Sequence, residues 1–72
     1  MNKKNKIKII VNGKQMTVKL KFSLKNLVDK LKLPIGKVAI ELNRQIVNKK
    51  NINKVLLKTG DKIEVVHFIG GG

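Results

Sequence analysis

The groups able to do chemistry in this sequence are few, and they gather at one end. His67 is the only histidine, and Gly70, Gly71 and Gly72 close the chain. The carboxylate side chains are Asp29, Glu41, Asp61 and Glu64, and no cysteine occurs. Without cysteine there is no disulfide, no thiolate metal site and no catalytic thiol. A lone histidine on a strand is a structural residue more often than a catalytic one, and His67 has no second histidine or nearby ligand set for metal or proton-relay work. A carboxylate pair for acid–base catalysis needs a cleft, which 72 residues scarcely build. Asp61 and Glu64 therefore read as turn and surface residues. These absences point away from a self-contained enzyme and toward a binding module, a carrier or a subunit.

The glycine run is the remaining chemical feature. A backbone without Cβ atoms is thin enough to enter a narrow channel where other residues would clash. The reactive group it delivers is the α-carboxylate of Gly72, with Gly70 and Gly71 as the threading segment. A free carboxylate is a poor electrophile. It becomes reactive when given a better leaving group, as in acyl-adenylate formation with ATP. The chain has no phosphate loop, metal cluster or nucleophile–base pair, so no cofactor of its own is expected and activation falls to a partner enzyme. A mobile arm loses entropy on docking, so the globular face must contribute binding.

The elements that would hold this tail follow from periodicity. Ile7, Ile9 and Val11 alternate with Lys6 and Lys8, with Ile10 as the exception. Asn12-Gly13 suits a type I′ turn, which needs positive φ at both central positions. Lys14 to Phe22 alternates again, with Met16, Val18, Leu20 and Phe22 on one face. This predicts a β-hairpin with one buried face. At Ser23 the period changes: Leu24, Leu27, Val28 and Leu31 fall at i, i+3, i+4 and i+7 of a helix. Ser23 is a good N-cap, whereas Asn26 stands where a full capping box would carry Glu or Gln. Leu33-Pro34 and Gly36 stop the helix after about two and a half turns. Val38, Ile40 and Leu42 share one face of a third strand, Asn43-Arg44 is a turn, and Gln45-Ile46-Val47 is a short strand. Asn48 to Leu57 reads as a loop with a short helical turn. Lys58 to Asp61 is a turn in which Gly60 supplies φ freedom, and Lys62 to Ile69 is the last strand.

A hairpin, a crossing helix and further strands are the order of the β-grasp, or ubiquitin-like, fold. The expected class is α+β: a mixed four- to five-stranded sheet with one helix across one face, the last strand parallel to the first. Residues 1–69 form the domain and 70–72 a flexible tail. The helix stripe is expected to pack on Met16, Val18 and Leu20. On the last strand Ile63, Val65 and His67 alternate with Glu64, Val66 and Phe68. If the first set faces the helix, Val66 and Phe68 lie on the open face, with Ile10, as a partner-docking surface. The competing reading is that a loop covers them.

The formal charge of +13 is the footprint of a nucleic-acid binder, but its composition does not support that partner. Of 17 basic residues only Arg44 is arginine, the residue suited to bidentate contact with phosphate and guanine. Phe22 and Phe68 are the only aromatics, too few for a base-stacking platform. Lysine, asparagine and isoleucine make up 33 of the 72 residues, as AT-rich codon usage would produce. No apolar stretch approaches the roughly 20 residues of a membrane span, and no secretory h-region follows the basic N-terminus. A soluble, cytoplasmic protein is expected.

Two segments resemble a known family. Val38-Ala39-Ile40-Glu41-Leu42-Asn43-Arg44-Gln45-Ile46-Val47 is similar to its central strand–turn–strand, and Thr59 through Gly72 to its C-terminal signature. The family is ThiS, the thiamine-pathway sulfur carriers. The resemblance extends over nearly the whole chain from Ile7, and the C-terminal stretch is its specific part. It implies that an E1-like (ThiF-like) adenylyltransferase activates Gly72 with ATP. Sulfur from a cysteine desulfurase persulfide then makes a terminal thiocarboxylate, which donates sulfur to a ThiG-like thiazole synthase. The carrier is a co-substrate, not a catalyst. A molybdopterin-synthase-type carrier with the same tail is the alternative, and a ubiquitin-like modifier a weaker variant. From a different class comes a small basic nucleic-acid-binding domain, whose affinity would fall steeply with salt.

Overall fold

The computed structural model describes residues 5–68. Strand β1 (Lys6–Val11) pairs antiparallel with β2 (Lys14–Lys19) through the Asn12-Gly13 turn. Both turn residues have positive φ, 48° and 84°, as the type I′ geometry requires. Helix α1 (Leu24–Lys30) follows, then a 3₁₀ turn (Ile35–Lys37) and β3 (Val38–Leu42). A second two-residue turn, Asn43-Arg44, also at positive φ, leads to β4 (Gln45–Ile46). A longer 3₁₀ segment (Lys49–Lys54) precedes β5 (Lys62–His67). The sheet order is β2-β1-β5-β3-β4. β5 runs parallel to β1 and antiparallel to β3, so the sheet is mixed and the last strand is central. This is the β-grasp arrangement, with five strands.

The core lies between one sheet face and the helix layer. Ile9, Val38, Ile40 and Ile63 from the sheet and Leu24 and Leu27 from α1 are completely or almost completely buried. Ile52 and Leu57, from the connection between β4 and β5, close the same cluster. Leu24 donates its N–H to the Val55 carbonyl at 2.8 Å, and Leu57 donates to Phe22 at 2.8 Å. The long polar connection is thus tied to the start of the helix.

Both ends of α1 differ from the sequence expectation. The capping box is complete: Asn26 N–H donates to Ser23 Oγ at 2.9 Å, and Ser23 N–H donates to Asn26 Oδ1 at 3.0 Å. Asparagine reaches the N-cap amide that a longer Glu or Gln usually satisfies. The helix stops at Lys30, about two turns in, before Leu33-Pro34. Lys32 takes a left-handed φ of 54°. Its N–H donates to the Asp29 carbonyl at 3.1 Å, and Leu33 N–H donates to Val28 at 3.0 Å. Those two bonds are a Schellman C-cap, with lysine where glycine is commonest.

The second strand is also shorter than its alternation suggests. β2 ends at Lys19, and the chain turns through Leu20-Lys21, with Lys21 at φ 65° and Phe22 N–H donating to the Lys19 carbonyl at 3.2 Å. Leu20 is consequently 49% exposed and does not pack under the helix. Val18 is buried there, and Met16 and Phe22 are half-buried at the margin. β5 ends at His67 within the described residues, and Ile69 lies outside them.

Candidate functional site

The site is the end of β5 and the open sheet face around it. Gly70, Gly71 and Gly72 lie outside the described residues. What the structure defines is the strand that leads to them and the way it is anchored.

β5 is held on both sides. Its register with β3 runs from Val38 opposite His67 to Leu42 opposite Ile63. The Phe68 N–H extends that ladder by donating to the Lys37 carbonyl at 3.1 Å. On the other side the parallel pairing with β1 is short, because β1 turns away after Val11. The Asn12 side chain takes over there. Its Oδ1 accepts from the Val65 N–H at 2.8 Å, and its Nδ2 donates to the Val65 carbonyl at 3.4 Å. A turn asparagine thereby lengthens a backbone ladder. The start of β5 is clamped by Asn43 and Asp61: Asn43 Nδ2 donates to Asp61 Oδ1 at 3.0 Å, and Lys62 N–H donates to Asn43 Oδ1 at 2.9 Å. Asp61 also accepts from the Lys58 N–H at 2.8 Å. Its carboxylate is a turn residue, as expected.

Side-chain parity places Ile63, Val65 and His67 toward the helix layer and Lys62, Glu64 and Val66 on the open face. His67 is opposite buried Val38 yet exposed itself. No group of three or more histidine, cysteine or carboxylate side chains that could hold a metal occurs among the described residues.

Val66 is 54% exposed opposite Ala39, and no loop among the described residues covers it. Phe68 is 44% exposed, with the Lys49 ammonium 5.4 Å from its ring centroid. That is cation–π distance and partly occupies one side of the ring. Ile10 shares the open face but is half-buried and opposite Lys62. Val66 lies four residues farther along β5, about 13 Å at the usual rise of a strand. The three apolar residues therefore do not form one patch.

Another exposed apolar residue on the same face is Ile46, which sequence reasoning missed. Ile46 is opposite Glu41, two residues from Ala39, and is 76% exposed. A strand of two residues has no period from which its outward face could be read. Glu41 and Glu64 face each other directly across β3 and β5, between these apolar residues and the hairpin. A shallow cleft of about 310 Å³ lies at the far edge, lined by Lys6, Thr17, Val18, Lys19, Phe22 and Lys30. It has no contact with the β5 terminus.

No helix among the described residues is long and apolar enough to cross a membrane. Among the described residues, the arrangement offers an open sheet surface beside the end of the strand that leads toward the glycines.

Comparison with known proteins gives a consistent picture. The model of the ThiS family matches residues 9–72, through the last glycine. A thiazole synthase of Paramagnetospirillum magneticum is 36% identical over 66 residues, covering 92% of this chain and 20% of that protein. The chain thus spans about a fifth of the length of the curated thiazole synthases it matches. The sulfur carrier protein ThiS of Bacillus subtilis is 46% identical over 35 residues, 49% of this chain and 53% of that one. The crystal structure of the thiamine biosynthesis protein ThiS from Geobacter metallireducens superposes with a TM-score of 0.80 at 30% identity. It covers 92% of this chain and 100% of that one.

Proposed function

The chain belongs to the ThiS family, and from that premise we propose that it is a sulfur carrier for thiazole formation in thiamine biosynthesis. The observation that carries the reading is the family match running through Gly72, on a chain whose central strand leads into the glycine run. The carrier acts as a protein co-substrate in the cytoplasm and binds no cofactor of its own.

The chemistry has four steps. An E1-like, ThiF-like adenylyltransferase joins the Gly72 carboxylate to the α-phosphate of ATP, releasing pyrophosphate. The terminal sulfur of a persulfide, derived from cysteine by a desulfurase, attacks the acyl carbonyl and AMP leaves. Cleavage of the resulting S–S bond by a thiol leaves the thiocarboxylate. That group then gives its sulfur to a ThiG-like thiazole synthase and returns as a carboxylate. Gly70 and Gly71 thread the channel of each enzyme in turn. Val66 and Phe68 dock beside the exit of the tail, and Ile10 touches the partner at a separate point on the same face. Relatives named thiazole synthase favour this acceptor over a molybdopterin synthase subunit.

The test is intact-mass analysis after incubation with ATP, the adenylyltransferase and a sulfur donor. Exchange of oxygen for sulfur adds about 16 Da, a covalent change at the terminal residue. Deleting Gly72 is expected to abolish the gain while leaving the thermal transition in place. Undiminished sulfur transfer from the deleted chain would overturn the proposal.

A further inference from the structure

The open sheet face is electrostatically divided. Its β1–β2 half presents Lys6 and Lys8 from β1 and Lys19 from β2, together with Gln15 and Thr17. Lys62 of β5 adjoins this half, opposite Ile10. All four lysines are exposed, and neither hairpin strand contains an acidic residue. Lys6 and Lys19 are directly opposite each other, a placement that repels. The lysine patch stops where Glu64 meets Glu41. Among the described residues the one ion pair is Lys25–Asp29, on the helix, so none of the four patch lysines is held by a carboxylate there. In a chain with 16 lysines a basic surface alone says little. The segregation of charge on the face that also carries Ile10 says more.

We propose that the β1–β2 half of this face seats an acidic surface, rich in aspartate and glutamate, on the thiazole synthase that consumes the loaded carrier. The inference rests on the sulfur-carrier reading above and extends it to the partner's chemistry. An ammonium is a compact point charge, and four of them on a flat sheet steer an acidic protein surface without demanding bidentate geometry. Nucleic acid fits less well. The patch contains no arginine, since Arg44 is on the β3–β4 turn, and its aromatic neighbour, Phe22, is half-buried in the cleft beside Lys6 and Lys19 and offers no open stacking platform. The patch and the exit of the tail occupy different ends of one face. Attraction at the hairpin would therefore bring the synthase alongside β5 while the glycines remain free to enter its channel.

The test measures association of the full chain with the thiazole synthase of the same genome by stopped flow, at 50 mM and 500 mM salt. Two triple variants carry the same net charge: Lys6→Glu with Lys8→Glu and Lys19→Glu, and Lys32→Glu with Lys50→Glu and Lys54→Glu as the off-face control, none of whose residues lines the cleft beside Lys6 and Lys19. A milder variant, Lys6→Gln with Lys8→Gln and Lys19→Gln, guards against loss of folding in the first. The expected result at low salt is an association rate lowered about tenfold or more by the face variant, less by the glutamine variant, and within about twofold by the control. The differences should shrink at high salt as screening shortens the range of the field. Equal effects of the face and control variants, or no effect of either, overturn the proposal. So does a 20-nucleotide DNA that binds the patch at physiological salt and displaces the synthase. Formation of the 16 Da adduct on wild type is followed in parallel. If the adduct forms and the salt response is uniform, the patch inference alone fails. If no adduct forms and no synthase binds, both readings fail.

Discussion

Replacing Ser23 with alanine should weaken the domain at its most connected point. Ser23 is 8% exposed, and its hydroxyl accepts the Asn26 N–H at 2.9 Å. Alanine leaves that first-turn donor without its partner in a half-buried site. It leaves the reciprocal bond, from Ser23 N–H to Asn26 Oδ1, without the hydroxyl that helped fix its geometry. Loss of a serine N-cap costs about 1–2 kcal/mol. Burial places this case toward the upper part of that range, because water cannot replace the acceptor freely. Ser23 is also bridged to Leu56, between the bonds that join Phe22 to Leu57 and Leu24 to Val55. Fraying of the cap would therefore loosen the connection that covers the core. A domain of this length has about 4–11 kcal/mol in total, so the loss is substantial. It should lower the melting temperature by about 5–15 °C. Urea and thermal unfolding of wild type, Ser23→Ala, Asn26→Ala and the double variant would give the coupling of the box. Ser23→Thr should recover most of the loss, since threonine also caps. A cost below about 0.3 kcal/mol for Ser23→Ala, or strict additivity of the two alanine variants, would refute the account.

Three further outcomes can be read by equilibrium denaturation. Lys32→Gly should stabilise the chain by about 0.5–1 kcal/mol, because it removes a Cβ from a left-handed C-cap residue; a loss of stability would count against the strain. Asn12→Ala should destabilise by about 1–2 kcal/mol by leaving the Val65 N–H unpaired, and amide exchange at Val65 should quicken selectively. Glu64→Thr should gain about 0.2–1 kcal/mol by ending its opposition to Glu41, with the gain reduced in high salt.

The architecture was legible because its elements carry their periods openly. Alternation from Lys6 to Val11 and from Met16 to Val18 defines the hairpin, and the spacing of Leu24, Leu27 and Val28 defines the helix. Leu20 misled because the alternation continues after the strand has ended. The turn that exposes it uses Lys21 at positive φ, and lysine is not a turn signal. Lys32 hides the helix stop for the same reason. The completed capping box depends on how far an asparagine side chain can reach, which spacing alone does not reveal. At the site, the face of Val66 followed from alternation along β5. The gap between Val66 and Ile10 did not, because it depends on the parallel register that sets Ile10 beside Lys62. Ile46 required the pairing of β3 with β4.

The parallel contact of β1 and β5 has a mechanical consequence. The two strands lie side by side and point the same way, and β3 grips the opposite edge of β5. A force drawing the chain onward beyond Phe68 acts along the strand axis. The lateral bonds then bear it together, sliding against one another instead of parting one at a time. A partner could pull on this end with little risk of unravelling what holds it. Optical-tweezers extension with handles at Asn5 and Phe68 should therefore need a higher rupture force than handles at Asn5 and Lys19, which would unzip the hairpin from its open end. Equal forces would show that the ladder is not sheared as a unit.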